Sequence, residues 1–255
     1  MPATSPYSVR QSLPVWLERA RDNDSTMPVH RDGALVVPSA GLYSLYDPDG
    51  VAVVDEQAAS ITDGVATYSI AAATLPASLA LSDRWRERWT LTLDGVARVF
   101  VRDAGLVRST LYPVVTDADL TETHTELRTW LADDSTSLQG YIDSAWRSVL
   151  LRLIEAGRWP YLVLSPWALR ETHLCLSLAR CFRDYASSAA GGPGKYDALA
   201  THYDEQYDKA FARLRLTYDM DEDGQIDPDE EGVAGESVLF TNVPGAWRRG
   251  LRGSS

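Results

Sequence analysis

Residues 89–101 read Trp89-Thr90-Leu91-Thr92-Leu93-Asp94-Gly95-Val96-Ala97-Arg98-Val99-Phe100-Val101. Apolar side chains alternate on both sides of Asp94-Gly95, and an Asp-Gly pair supplies the φ > 0 positions that a tight hairpin needs. The device recurs where Ile61 leads through Asp63-Gly64 into Val65, Thr67, Tyr68 and Ile70. A longer turn, Asp47-Pro48-Asp49-Gly50, joins Leu42, Leu45 and Tyr46 to Val51, Val53 and Val54. Six or more short strands over roughly 80 residues predict a small antiparallel β-sandwich, placed at residues 28–112. The Ala-rich stretch 71–80, interrupted by Pro76, reads as a crossover. Residues 1–27 read as an N-terminal extension with one short amphipathic piece from Val9 to Ala20.

After Pro113 the period becomes helical. Thr116 or Asp117 can cap a first helix carrying Leu120, Leu127 and Leu131, with Trp130 beside them. Ser135 can cap a second with Leu138, Tyr141, Ile142, Ala145, Trp146, Val149, Leu150, Leu153 and Ile154, a wide amphipathic face. Gly157 followed by Pro160 stops it. Ser165-Pro166 opens a third helix, a capping hydroxyl with proline at the first helical position. It carries Leu174, Cys175, Leu178, Cys181, Phe182 and Tyr185. Past Gly191-Gly192-Pro193-Gly194 a fourth carries Tyr196, Leu199, Tyr203, Tyr207, Ala210, Phe211 and Leu214. Short connections make neighbours antiparallel, so 113–218 should be a compact four-helix bundle. The fold class is therefore α+β, ending in an extended C-terminal arm.

The 255 residues carry 36 acids against 24 bases, a formal charge of −12. That balance disfavours a free-standing duplex-DNA binder, because phosphate contacts need a basic surface. The excess is local. Residues 219–231 alone hold eight acids and no base, whereas the regions before them are each near neutral. No apolar stretch approaches the roughly 18 residues of a membrane span. The start, MPATSPYSVRQSLPVW, lacks the apolar run of a secretory signal. Cys175 and Cys181 sit about 9 Å apart along one helix, too far for a disulfide, and read as core thiols of a reducing compartment.

The sharpest motif is Asp219-Met220-Asp221-Glu222-Asp223-Gly224-Gln225-Ile226-Asp227-Pro228-Asp229-Glu230. It fits the calcium loop of an EF-hand: oxygen donors at Asp219, Asp221 and Asp223, glycine for the sharp turn, the Gln225 carbonyl, and a bidentate Glu230. The fourth helix should lead directly into it. The exiting helix is missing, since Glu231-Gly232-Val233-Ala234-Gly235 is a poor helix, so any site would be a lone half-hand for Ca2+ or another divalent ion. The alternative is an acidic Asp/Gly turn that only stops the helix. The segment 232–255 carries a β-prone patch, Val238 to Thr241 with Phe240, followed by Pro244, Trp247, Arg248 and Arg249. An aromatic followed by paired arginines suits docking onto another chain.

Catalytic arrangements are not apparent. His30, His124, His173 and His202 are scattered, without the spacing of a zinc site, and no nucleophile elbow, phosphate loop or dinucleotide fingerprint occurs. No enzymatic activity is expected.

The helical half resembles a known family. The residues that carry the likeness are Tyr112-Pro113-Val114-Val115-Thr116-Asp117-Ala118-Asp119-Leu120, Tyr141-Ile142-Asp143-Ser144-Ala145, and Leu153-Ile154-Glu155-Ala156-Gly157-Arg158-Trp159-Pro160. They continue in Ser165-Pro166-Trp167-Ala168-Leu169-Arg170 and in the Tyr203-to-Leu216 helix closing on Tyr218-Asp219. This order resembles the head–tail connector (adaptor) proteins of tailed double-stranded DNA bacteriophages and related gene transfer agents. The resemblance implies a virion protein, made in the host cytoplasm, whose bundles form a dodecameric homo-oligomeric ring under the portal. Such a ring prolongs the channel for passing DNA without sequence-specific binding, and presents a surface to the next neck or tail protein. By the same resemblance the arm around Pro244–Arg249 reaches onto the portal protein. The β-domain departs from the simplest adaptors and is placed as an outer decoration. Trp130, Trp146, Trp159 and Trp167 are candidates for the surface between copies. The alternative is a calcium-assisted binding module whose sandwich recognises a glycan or receptor.

Overall fold

A computed structural model describes residues 6–9, 11, 13–130, 137–188 and 194–219. Within them the protein is mixed α+β, a sheet-rich N-terminal region followed by four α-helices. The strands are Tyr7–Val9 (β1), Val15–Glu18 (β2), Asn23–Met27 (β3), Val29–Arg31 (β4), Ala34–Val36 (β5), Ala40–Tyr46 (β6), Ala52–Thr62 (β7), Val65–Ile70 (β8), Ser82–Leu93 (β9) and Val96–Val107 (β10). One sheet runs β1-β4-β5, the other β2-β10-β9-β6-β7-β8-β3. The hairpins fall on the Asp-Gly pairs: Asp63 and Gly64 have φ of 50° and 79°, Asp94 and Gly95 of 50° and 76°. Asp32-Gly33 turns β4 into β5 in the same way, at 54° and 82°.

Two expectations for this region are corrected. Residues 7–27 are not an extension, since they supply β1, β2 and β3 and belong to the sheets. Nor is the pairing purely antiparallel, because β2 lies parallel to β10, with Gly105 opposite Trp16. A side chain at Gly105 would place its Cβ 2.4 Å from the Trp16 ring, so only glycine admits this strand.

β2 and β3 stand at opposite ends of the seven-strand order, yet only residues 19–22 separate them. At roughly 3.5 Å per residue that linker is short, so the sheet curls until its edges meet. Asn23 closes the seam: the Glu18 N–H donates to its Oδ1 at 2.7 Å, and its Nδ2 donates to the Glu18 carbonyl at 2.8 Å.

Inside the curl lies a polar cluster. Glu87 on β9 is 0% exposed. It accepts from Tyr43 Oη on β6 at 2.9 Å and from Arg102 Nη2 on β10 at 2.6 Å. Arg102 also donates to Ser25 Oγ on β3 at 3.1 Å. Around it pack Trp85, Trp89, Met27, Leu45 and Ile70. The Tyr43 ring stacks on Tyr68 at 4.6 Å and meets Trp89 edge-on at 4.8 Å.

The helices are Asp117–Thr123 (α1), Gln139–Glu155 (α2), Arg170–Ser188 (α3) and Gly194–Arg213 (α4). Thr116 caps α1, its N–H donating to Asp119 Oδ2 at 2.7 Å. α1 stops at Thr123 instead of running on to Leu131, and residues Thr125–Trp130 form a 3-10 helix. The reason is local: Thr121 and Thr123 hydroxyls bond back to the Asp117 and Asp119 carbonyls, and β-branched threonines hold helix poorly. Ser135 and Leu131 lie outside the described residues, and Ser137 accepts from the Gln139 N–H at the start of α2. Gly157 ends α2 at a φ of 68°, as expected, but Ser165 caps a 3-10 turn, Pro166–Leu169, and α3 itself starts only at Arg170.

One apolar cluster joins Ala145, Val149 and Leu153 of α2 to Tyr207 and Phe211 of α4. A second joins Leu120 and Ile142 to Leu178, Cys181 and Phe182 of α3. Both cysteines are free and buried, and burial pushes the Cys181 thiol up to about 12. His173 is fully buried against Trp146, its Nε2–H donating to the Ile142 carbonyl at 2.9 Å.

Two measurements test this packing. Glu87→Gln leaves the Arg102 guanidinium buried without its counter-charge and should cost about 3–5 kcal/mol. Tyr43→Phe, which removes one hydrogen bond to a charged group, should cost about 1.5–3 kcal/mol. Urea unfolding that ranked them in reverse would refute the assigned weight of the ion pair. Burial also holds the His173 pKa below the ordinary histidine value. The unfolded chain then binds the extra proton, so this contribution to stability is present above about pH 6.5 and is lost as pH falls below it. His173→Gln should flatten the decline in urea midpoint between pH 7.5 and 5.5, as measured against the wild type.

Candidate functional site

The last described residue, Asp219, sits at the junction of the two regions. α4 ends at Arg213, and Tyr218 forms an isolated antiparallel bridge with Val163 instead of closing a helix. The expectation that the fourth helix leads directly into the acidic loop is therefore corrected, since the chain enters Asp219 in extended form. The Asp219 N–H donates to the Leu162 carbonyl at 3.1 Å. Its side chain, 3% exposed, forms an ion pair with Arg108 just past β10. A cavity of about 220 Å³ adjoins this pair, lined by Arg21, Leu81, Arg108, Leu164 and Asp219 among others. The first oxygen donor of the calcium motif thus already has a cationic partner. Asp221, Asp223, Gln225 and Glu230 lie outside the described residues, as do Phe240, Pro244, Trp247, Arg248 and Arg249. No group of three or more His, Cys, Asp or Glu side chains able to hold a metal occurs among the described residues.

Further contacts pin the chain between the regions. Glu18 Oε1 accepts from the Thr110 N–H at 2.8 Å, on the segment that leads from β10 to the helices. Leu13 and Leu111 pack onto the helical core beside Leu162.

The tryptophans separate sharply by position. Trp146, a candidate for the surface between copies, is 6% exposed and belongs to the core, because its place on α2 falls on the stripe with Ile142, Val149 and Leu153. The Trp130 side chain lies outside what is described. Trp159 and Trp167 remain at the surface, 39% and 59% exposed. Both ride on the α2–α3 connection, residues 156–169, whose Val163 bridges Tyr218. The Trp159 and Tyr218 rings lie 5.8 Å apart. Exposed Trp159 and the last described residues thus lie together on one side of the helical region.

The remaining candidates are structural. Tyr207 is core, Tyr196 and Tyr203 are packed against it, and His124 Nε2 hydrogen-bonds Tyr203 Oη at 2.7 Å. Burial lowers the His124 pKa. No helix among the described residues is long and apolar enough to cross a membrane. A feature that sequence reading missed is an open polar groove on the β-region, beside the Asp47–Gly50 turn, with a volume of about 730 Å³. Its signal was present in the run Asp83-Arg84-Trp85-Arg86-Glu87-Arg88, where charges alternate with core-directed residues. Compared with known proteins, the chain matches no family model and no curated protein.

Proposed function

We propose that the protein is a structural, non-enzymatic virion component: a head–tail connector that assembles as a dodecameric ring beneath a portal. In this reading the helices of residues 113–218 form the connector bundle and prolong the channel for double-stranded DNA, which passes without sequence-specific contact. The β-region decorates the outside of the ring. The arm of residues 232–255 reaches the portal, and a neck or tail protein docks on the opposite end. Assembly follows synthesis in the host cytoplasm.

The observation that supports this best is the α2–α3 connection. Trp159 and Trp167 leave large apolar surface in water, although the helical core beneath them is filled. Exposed tryptophan of this kind is what a partner chain buries. It lies next to Tyr218 and Asp219, where the chain departs towards the arm.

Mass photometry tests the ring directly. The expected species is many times the 28.1 kDa chain, and the double variant Trp159→Ala, Trp167→Ala should shift it towards monomer. Each anchor lost at an interface centre costs about 2 kcal/mol or more. Removing residues 236–255 should abolish attachment to purified portal rings while leaving the helices folded. A monomer that binds no portal ring would overturn the connector reading.

The acidic loop enters the same proposal as a calcium site in which Asp219 is contested. Ca2+ would be held by Asp219, Asp221, Asp223, the Gln225 carbonyl and Glu230, and Arg108 must yield the first of these. Arg108→Ala should therefore bind calcium more tightly than the wild type in a calorimetric titration. Absence of heat in both proteins would discard the metal.

A further inference from the structure

The β-region holds a second feature that the connector role leaves unused. β9 spans Ser82–Leu93, but its partner β6 stops at Tyr46, opposite Arg86. Beyond that point residues 82–85 have no strand on this side, and the Asp47–Gly50 turn swings away from them. The gap is the 730 Å³ groove. A second cavity of about 450 Å³ shares Asp47, Pro48, Asp49, Asp83, Arg84 and Trp85 with it and continues to Tyr161 on the α2–α3 connection.

The lining is chemically specific. Asp47 is spent on its own turn, where Oδ1 accepts from the Asp49 and Val51 N–H groups at 3.0 and 2.8 Å. Arg88 is spent on Tyr46 Oη and Glu56. Asp49, Asp83, Arg84, Arg86 and Asp103 form no side-chain hydrogen bond or ion pair among the described residues. Yet Arg86 and Asp103 are directly opposite across the β9–β10 ladder. Nine other arginines of the described residues do hold a carboxylate. Beneath them Trp85, 1% exposed, lines both cavities, and its buried Nε1–H has no acceptor among the described residues. Glu87 beside it is locked by Tyr43 and Arg102, so the floor is rigid.

Carboxylates and guanidiniums that share a groove without pairing suit a ligand carrying donors and acceptors together. An anion would meet Asp49, Asp83 and Asp103, and a cation would meet Arg84 and Arg86. A neutral polyhydroxylated molecule satisfies both sets at once, each vicinal hydroxyl pair giving a hydrogen to a carboxylate or taking one from a guanidinium. The half-buried rings of Tyr46 and Tyr161 offer apolar faces along the same path. We infer that the groove between β9 and the Asp47–Gly50 turn is a binding site for a neutral oligosaccharide.

The test uses the full-length chain on an array of oligosaccharides of two to six sugars, with neutral, sialylated and sulfated members, followed by calorimetry with the best neutral hit. Binding to one or more neutral members is expected. Arg86→Ala and Asp103→Ala should each weaken it by roughly tenfold or more, the effect of losing a hydrogen bond to a charged group. Both side chains are exposed, so the urea midpoint and the assembled mass should stay at wild-type values. No binding anywhere on the array overturns the inference. So does binding confined to the sialylated or sulfated members, or neutral binding that both substitutions leave unchanged. Each of these outcomes leaves the ring measurement unaffected, so failure here is distinct from failure of the connector reading.

Discussion

Glu87 is the one side chain on which the β-region's closure depends. A carboxylate at 0% exposure carries a large desolvation cost, repaid only when its partners are both charged and well placed. Here the repayment comes from three other strands: Tyr43 from β6, Arg102 from β10 and, through Arg102, Ser25 from β3. β3 is an end strand of the seven-strand order, so its bond to Arg102 reaches across the interior of the curl. A slip of one residue in any of these strands would turn its polar member to solvent and leave the others buried without partners. The cluster therefore fixes the register of the sheet more sharply than the apolar residues around it, since leucine and tryptophan tolerate small displacements and a buried charge does not.

That closure has consequences outside the sheet. With β2 held parallel against β10, Glu18 is placed to receive the Thr110 N–H, and the chain leaving β10 is steered onto the helical core through Leu111. Arg108, one residue past β10, then reaches Asp219 at the far end of the helical region. The start of the described chain and its end are thus tied to the same segment, residues 107–111. Asp219, the last described residue, is thus held at a fixed point by its backbone bond to Leu162 and its ion pair with Arg108.

Much of this was legible. The Asp-Gly pairs at residues 63 and 94 placed two hairpins, and the spacing from Leu138 to Ile154 placed the buried face of α2. What escaped has particular causes. β1, β2 and β3 are three to five residues long, and Asn23-Asp24-Ser25-Thr26-Met27 reads as polar coil because its inward residues are Ser25 and Met27. Ser25 is buried for the sake of Arg102, 77 positions away, which no local pattern reveals. Glu87 and Arg102 were hidden by the same logic, as charges in alternating strands read as solvent-facing. Trp146 was misplaced by composition, although its helical position already assigned it to the core. At the acidic loop the motif was visible, but the competing partner Arg108 lies 111 residues away, and only the fold brings it there.

Charge distribution connects these points. Two-thirds of the −12 excess gathers in residues 219–231, so the regions before it are close to neutral and offer carboxylates for their cations to meet. Along the helices several do: Arg152 meets Asp208, Arg170 meets Asp119, Arg183 meets Asp204 and Arg213 meets Glu171, whereas Arg180 donates to the Ser144 and Ser148 hydroxyls. Such exposed pairs contribute little stability individually, yet they are the expected resting state of flexible opposite charges that can reach one another. The groove beside β9 departs from that state. Arg86 and Asp103 are held opposite each other by ladder geometry, yet they form no ion pair. The same two strands thus carry a paired, buried charge on their inner face, Glu87 with Arg102, and unspent donors and acceptors on their outer face, Arg86 and Asp103.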